Sequence, residues 1–234
     1  MTEAQTEILE RVRKAQYGSD DDFEIQQSLA ALGSAPAAPL DFDNVLESFL
    51  LRLSRNTASV DFAANRAEAV QRISDFLYKK HATRRVVAGH DSRLAAMPWR
   101  EGGVLVRFDV AAPEDPASIS YAKLAVAESG SVVLFSNRDN PAANNWLVTD
   151  HIVIVDGQDL VASYEDAWAR IRNLTENASP RGIHFISGPS STADIAGHVV
   201  KGAHGPLCLH IVYIGDADAD LQARVLEKAV DIKI

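Results

Sequence analysis

"HIVIVDGQDLVASYEDAWARIRNL", residues 151–174, joins two patterns whose combination decides the fold. His151 to Val155 is a near-continuous apolar, β-branched run, which marks a strand covered on both faces rather than one with a wet side. Ser163 and Asp166 then stand in a capping-box pattern, and Tyr164, Ala167, Trp168 and Ile171 fall on one face of the helix that follows. A doubly covered strand leading into an amphipathic helix is the repeating unit of an α/β fold with a mainly parallel sheet.

The same reading extends outward. Short strand-like runs recur as "RVVAG" (85–89), "VLVRF" (104–108), "SVVLF" (131–135), "IHFIS" (183–187) and "LHIVYI" (209–214). Helices are expected in "FDNVLESFLLRL" (42–53) and "NRAEAVQRISDFLYKK" (65–80), where Val70, Ile73 and Leu77 make an apolar stripe. These helices should cover both faces of the sheet. Residues 4–15 read as a short amphipathic helix, after which "YGSDDDFEIQQ" and "GSAPAAPL" resemble a linker. The expected division is an N-terminal arm over 1–40 and one domain over 41–234, with no internal repeat.

Charge and cysteine content narrow the partners. With 23 Lys and Arg against 32 Asp and Glu the formal net charge is −9, and the longest basic cluster is "YKKHATRR" (78–85), so nucleic acid is not an expected partner. Cys208 is the single cysteine, which excludes an internal disulfide and a thiolate-held zinc or iron–sulfur site on this chain alone. "MTEAQTEILERVRKA" has no apolar signal core, and no stretch approaches the roughly 20 apolar residues of a membrane span, so the expectation is a cytoplasmic chain with no membrane insertion.

Three segments carry candidate chemistry. In "GPSSTADIAGHVVKGAHGP" (188–206), Gly188 and Pro189 follow a strand and precede an expected helix from about Thr192 to Lys201, with Gly202 as its C-cap. Unpaired amides at such a helix start, with the hydroxyls of Ser190, Ser191 and Thr192, suit a phosphate or carboxylate. Ser191 and Asp194 also fit plain capping, and Asp194 stands one helical turn before His198. His204 and Gly205 belong to the next loop. In "AVAESGSVVLF" (125–135), Glu128, Ser129, Gly130 and Ser131 form a turn entering a strand, where Glu128 is either a solvated turn residue or, if desolvated, a base or nucleophile. The long polar connection within 135–155 holds Arg138, a candidate carboxylate clamp or a solvated surface charge. H-x-x-x-H, H-E-x-x-H, G-x-S-x-G, Walker and G-x-G-x-x-G patterns are absent, so no metal site is expected.

"AESGS" (127–131), "HIVIV" (151–155) and "GPSSTADIAGHVVKGAHGPLCLHIVYI" (188–214) occur in the order of a known family's motifs. Over roughly 120–214 the chain resembles the LUD-domain family, of the lactate utilization C type, whose corresponding stretches read close to A-E-T-G-T, G-P-S-R-T-A-D-I-E and G-x-H-G-P. Ser191 stands where that family has Arg, Ala196 where it has Glu, and Ser129 and Ser131 replace threonines. The resemblance implies a Rossmann-like sheet similar to ribose-5-phosphate isomerase, glucosamine-phosphate deaminase and CoA transferases. It also implies a role as the cluster-free subunit of a cytoplasmic system oxidising L-lactate to pyruvate, with iron–sulfur clusters only in partner subunits and no cofactor on this chain. On that reading a small carboxylate or phosphate-bearing ligand binds at the loop edge made by Glu128–Ser131, Gly188–Asp194 and His204. Self-association is left open. Two other readings stand beside it. One is a free CoA-transferase-like enzyme with Glu128 as nucleophile, since "AESG" is similar to that fold's glutamate turn. The other is a non-catalytic metabolite-binding module.

Overall fold

The computed structural model describes residues 3–16, 22–33, 39–40, 44–176, 179–193, 199–217, 220–221 and 223–224. The chain divides into two compact units, Met1–Pro36 and Ala37–Ile234. The first holds α1 (Glu3–Gln16) and α2 (Asp22–Leu32). No helix among the described residues is long and apolar enough to cross a membrane.

In the second unit the described elements run α3 (Val45–Arg55), β1 (Ser59–Ala63), α4 (Arg66–His81), β2 (Arg85–Ala88), α5 (Ser92–Ala95), β3 (Leu105–Phe108), β4 (Ala117–Tyr121), β5 (Leu124–Val126) and β6 (Ser131–Ser136). They continue with α6 (Ala143–Trp146), β7 (Asp150–Asp156), a 3-10 turn, β8 (Leu160–Val161), α7 (Tyr164–Thr175), β9 (Gly182–Ile186), β10 (Ser191–Ala193), β11 (Val199–Lys201) and β12 (Cys208–Ile214). Six strands form a wholly parallel sheet in the order β1-β12-β7-β4-β2-β3. A second, four-stranded sheet has the order β8-β5-β6-β9, in which β6 is antiparallel to both its neighbours.

The alternation of side chains along β7 explains why its sequence is unbroken in hydrophobicity. Ile152 and Ile154 point to one face, where they pack with Ala69, Val70, Ile73 and Leu77 of α4. Val153 and Val155 point to the other, where they meet Phe49, Leu50 and Leu53 of α3 together with Ala125, Val132 and Leu134 of the small sheet. The stripe expected on α4 is thus its buried face, and its ends are built locally. Asn65 accepts from the Glu68 amide at the N-cap, and Ala82 at φ 52° closes the C-terminus by donating to the Tyr78 carbonyl.

The expectation of helices on both faces needs one refinement: the second face is shared between α3 and the small sheet. α7 lies beyond that sheet, with Ala167 and Ile171 packed on Leu124, Val126, Val133 and Val161. Its capping box forms as read, with the Ser163 hydroxyl accepting from the Asp166 amide and the Asp166 carboxylate accepting from Ser163. Trp168 turns outward and packs at a tilt against Phe185, with ring planes 45° apart.

The expected helix over 192–201 is corrected: β10 and β11 pair antiparallel, with Ser191 opposite Lys201 and Thr192 opposite Val200. β-branched Thr192, Val199 and Val200 favour extended backbone, and the Gly202 amide closes the hairpin on the Ser190 carbonyl at 2.9 Å. Gly202 does adopt positive φ, +76°, but as the exit of a strand, where a Cβ would run into Leu207. The Asp194–His198 pairing lies outside the described residues.

Candidate functional site

The sequence-predicted residues form two groups. In the first, Gly130 turns the chain between β5 and β6 at φ +67°, and a Cβ there would come within 2.7 Å of the Leu53 amide nitrogen of α3. Glycine is therefore required both for conformation and for space. Asn56, the C-cap of α3, donates its side-chain amide to the Ser129 carbonyl at 3.0 Å, and Gly188 passes close over the Asn56 carbonyl. Ser131 is fully buried, and its hydroxyl lies 2.7 Å from that of Ser129, 2.6 Å from that of Ser187 and 3.3 Å from the Tyr164 phenol. Glu128 points the other way: its Oε2 accepts from the Tyr164 amide at 3.0 Å. That amide is one of the donors a helix start leaves unpaired, so Glu128 acts as a second cap on α7 beside Ser163 and Asp166.

In the second group, the Ser190 amide donates to the Pro206 carbonyl at 2.8 Å, and Gly205 packs on Ser190 and Trp146. Trp146, Leu147, Thr149, Gly202, His204 and Gly205 line an open recess. This loop lies at the amino ends of β7 and β12, since the Leu207 amide bonds the Thr149 carbonyl. Ser191, Thr192 and His204 are exposed. Pro189 accepts from the Ser191 hydroxyl at 3.4 Å. Among the described residues no hydrogen bond joins the two groups. Arg138 is exposed on the loop after β6 and joins neither, and Asp194 lies outside the described residues. Part of that polar connection folds inward. Asn144 is fully buried and accepts from the Ala111 amide at 2.7 Å while donating to the Asp109 carbonyl.

A third cluster, which the motifs did not single out, sits at the opposite end of the parallel sheet. From β2 the chain moves outward to β3, whereas from β4 it moves the other way to β7. The carboxyl ends of β2 and β4 are thus where connections diverge, the place where open α/β sheets form a crevice. Asp91 follows β2 and accepts from the Arg93 amide at 2.9 Å. The Arg93 guanidinium lies 4.1 Å over the Tyr121 ring, donates to the carbonyls of Tyr121 and Ala122, and pairs with Asp91 at 3.2 Å. Lys123 reaches Asp91 at 3.0 Å, and Asp159 approaches Arg93 at 3.6 Å. Burial pushes the Asp91 carboxyl up, but hydrogen bonds and charge from Arg93 outweigh it and leave the group below its ordinary range. Asp159 is pushed upward, chiefly by burial. Arg170 and Asn173 of α7 complete a cavity of about 540 Å³. Its lining carries Arg93, Lys123 and Arg170 against Asp91 and Asp159, an excess of one positive charge. The sequence signal for it is "GHDSR" (89–93), directly after the strand at Arg85–Ala88.

The LUD domain matches residues 116–214, which include Lys123 and Asp159 but not Asp91 or Arg93. A lactate utilization protein C from Shouchella clausii is 39% identical over 99 residues, 42% of this chain and 43% of that protein. Its counterpart in Bacillus subtilis is 36% identical over 42% of each chain, and that in Exiguobacterium sp. is 26% identical over 74% of this chain and 79% of its own. The matched stretch thus spans less than half the length of the first two relatives. The crystal structure of a DUF162 family protein from Deinococcus radiodurans superposes with a TM-score of 0.54 at 20% identity, covering 76% of this chain and 100% of that one, and shares the fold.

Proposed function

Because residues 116–214 match the LUD domain, we propose that the chain serves lactate utilization as a subunit without a cluster of its own. It works in the cytoplasm beside iron–sulfur partner subunits and binds a small carboxylate, lactate or pyruvate, in the crevice between β2 and β4. The naming of its relatives supports the pathway. The observation that carries the site is the cationic excess of Arg93, Lys123 and Arg170 at the point where strand connections diverge.

In this reading Arg93 is held in place by Tyr121, Ala122 and Asp91, and is a fixed charge rather than a mobile one. Lys123 uses one donor on Asp91 and keeps two more for a ligand carboxylate. Asp159, the loosest partner of Arg93, is the group an incoming carboxylate displaces. Glu128 remains the cap of α7, and the hydroxyls around Ser131 bond one another.

Thermal unfolding of the full chain with added lactate or pyruvate tests this. At about 100 times its Kd, a ligand of the native state adds about 2.7 kcal/mol of stability. A rise in Tm with either carboxylate is expected, together with its loss in Lys123→Gln. Unchanged unfolding of the wild type with both ligands would overturn the site.

A further inference from the structure

A second constellation lies at the other end of the sheet, where β1 begins. The parallel register sets Ser59 of β1 opposite His210 of β12. Asp61, two residues along the strand, shares the face of Ser59. That face lies under α4, whose Phe76 stacks on the His210 ring with centroids 4.0 Å apart and planes 12° apart. His210 is only 3% exposed, so its ring is fixed in plane and position. Its Nδ1 lies 2.8 Å from the Ser59 hydroxyl, and its Nε2 lies 3.4 Å from Asp61 Oδ2. No well-aligned acceptor meets Nε2 among the described residues; the Asp61 contact is an ion-pair distance rather than a formed hydrogen bond. Catalytic hydrogen bonds without substrate are often this long, tightening when the site fills.

These positions suit one tautomer of His210. A carboxylate at Nε2 favours the proton there, which leaves the Nδ1 lone pair facing the Ser59 hydroxyl. Ser59 is exposed, at the mouth of a cavity of about 540 Å³ whose lining includes Asp61, Phe76, Lys79, Lys80 and His210. We propose that Ser59, His210 and Asp61 form a nucleophile–base–carboxylate triad for acyl transfer from small esters, distinct from the carboxylate crevice. The logic is that of a serine hydrolase with the two imidazole nitrogens exchanged in role.

The step balances as follows. Ser59 Oγ bonds the ester carbonyl carbon while its proton passes to His210 Nδ1. Lys79 of the lining supplies positive charge for the oxyanion, since Lys80 is held at 2.8 Å by Asp150. The bond to the alcohol oxygen then breaks as Nδ1 returns the proton to it, giving acyl-Ser59 and free alcohol. Water then bonds the acyl carbon while giving a proton to Nδ1, and the bond from that carbon to Ser59 Oγ breaks as Nδ1 returns the proton to Oγ, restoring Ser59 and releasing the acid. His210 is the catalytic base, and Asp61 is a positioning residue that acts through it.

A fluorophosphonate probe and p-nitrophenyl acetate, applied to the full chain, read this out. Peptide mapping should place the phosphonate on Ser59, and Ser59→Ala and His210→Gln should each lower ester hydrolysis by about 100-fold or more. Asp61→Asn should slow labelling about tenfold. Asp61→Glu should recover most of it, a difference that a merely structural carboxylate would not produce. Asp61 is half-exposed, so its variants keep the test open if His210→Gln does not fold. Folded wild type with Ser59 unlabelled, labelling at Cys208 instead, or equal labelling in wild type and Asp61→Asn would overturn the proposal.

Discussion

His151 shows how far burial can move a single side chain. It stands near the start of β7, 1% exposed, with Nε2 2.9 Å from the Ser120 hydroxyl and Nδ1 unpartnered among the described residues. Burial lowers its pKa from 6.5 to about 3. In the unfolded chain it titrates normally, so below pH 6.5 the unfolded state takes up a proton that the folded state refuses. The stabilising contribution is complete above pH 6.5 and is lost as pH falls toward 3. Between pH 6.5 and 5 the loss amounts to about 2 kcal/mol. Urea unfolding across that range should show the slope in the wild type and a flatter one in His151→Gln; parallel slopes would mean that His151 is not held neutral.

At the scale of elements, the capping of α7 separates two roles for Glu128. As a cap, Glu128→Ala costs about 0.5–2 kcal/mol of stability while Glu128→Gln, which keeps an acceptor for the Tyr164 amide, costs little. Chemical denaturation measures both, and equal losses in the two variants would contradict the cap. The same scale decides what could be read in the sequence. β7 and β12 were legible because every side chain from Ile152 to Val155, and from Leu209 to Tyr213, is buried and nearly all are apolar. β4, beside β7 within the same sheet, was not. Its "ASISY" interleaves Ser118 and Ser120, whose hydroxyls are answered by Asn144, Asn145 and His151, residues remote in sequence. The hairpin of β10 and β11 was hidden similarly, since "STADIAGHVVKG" has capping residues for a helix, and only the pairing of its two ends makes strands of it.

At the scale of the whole molecule, the two proposed sites lie at opposite ends of one parallel sheet. The motifs that carry the family resemblance, at 127–131 and 188–206, build a hydroxyl cluster under α3 and a loop at the amino ends of β7 and β12. The proposed carboxylate crevice draws instead on Asp91, Arg93, Lys123 and Asp159, spread over three connections between strands, where each reads alone as a solvated charge. Strand order brings them together, and strand order is what a sequence without its pairings withholds. Titrating lactate or pyruvate into the isotopically labelled chain and following its amide resonances locates the ligand directly. Perturbations centred on Arg93, Lys123, Asp159 and Arg170 are the result expected, whereas perturbations centred on 128–131 and 188–205, or none at saturating ligand, would contradict the account.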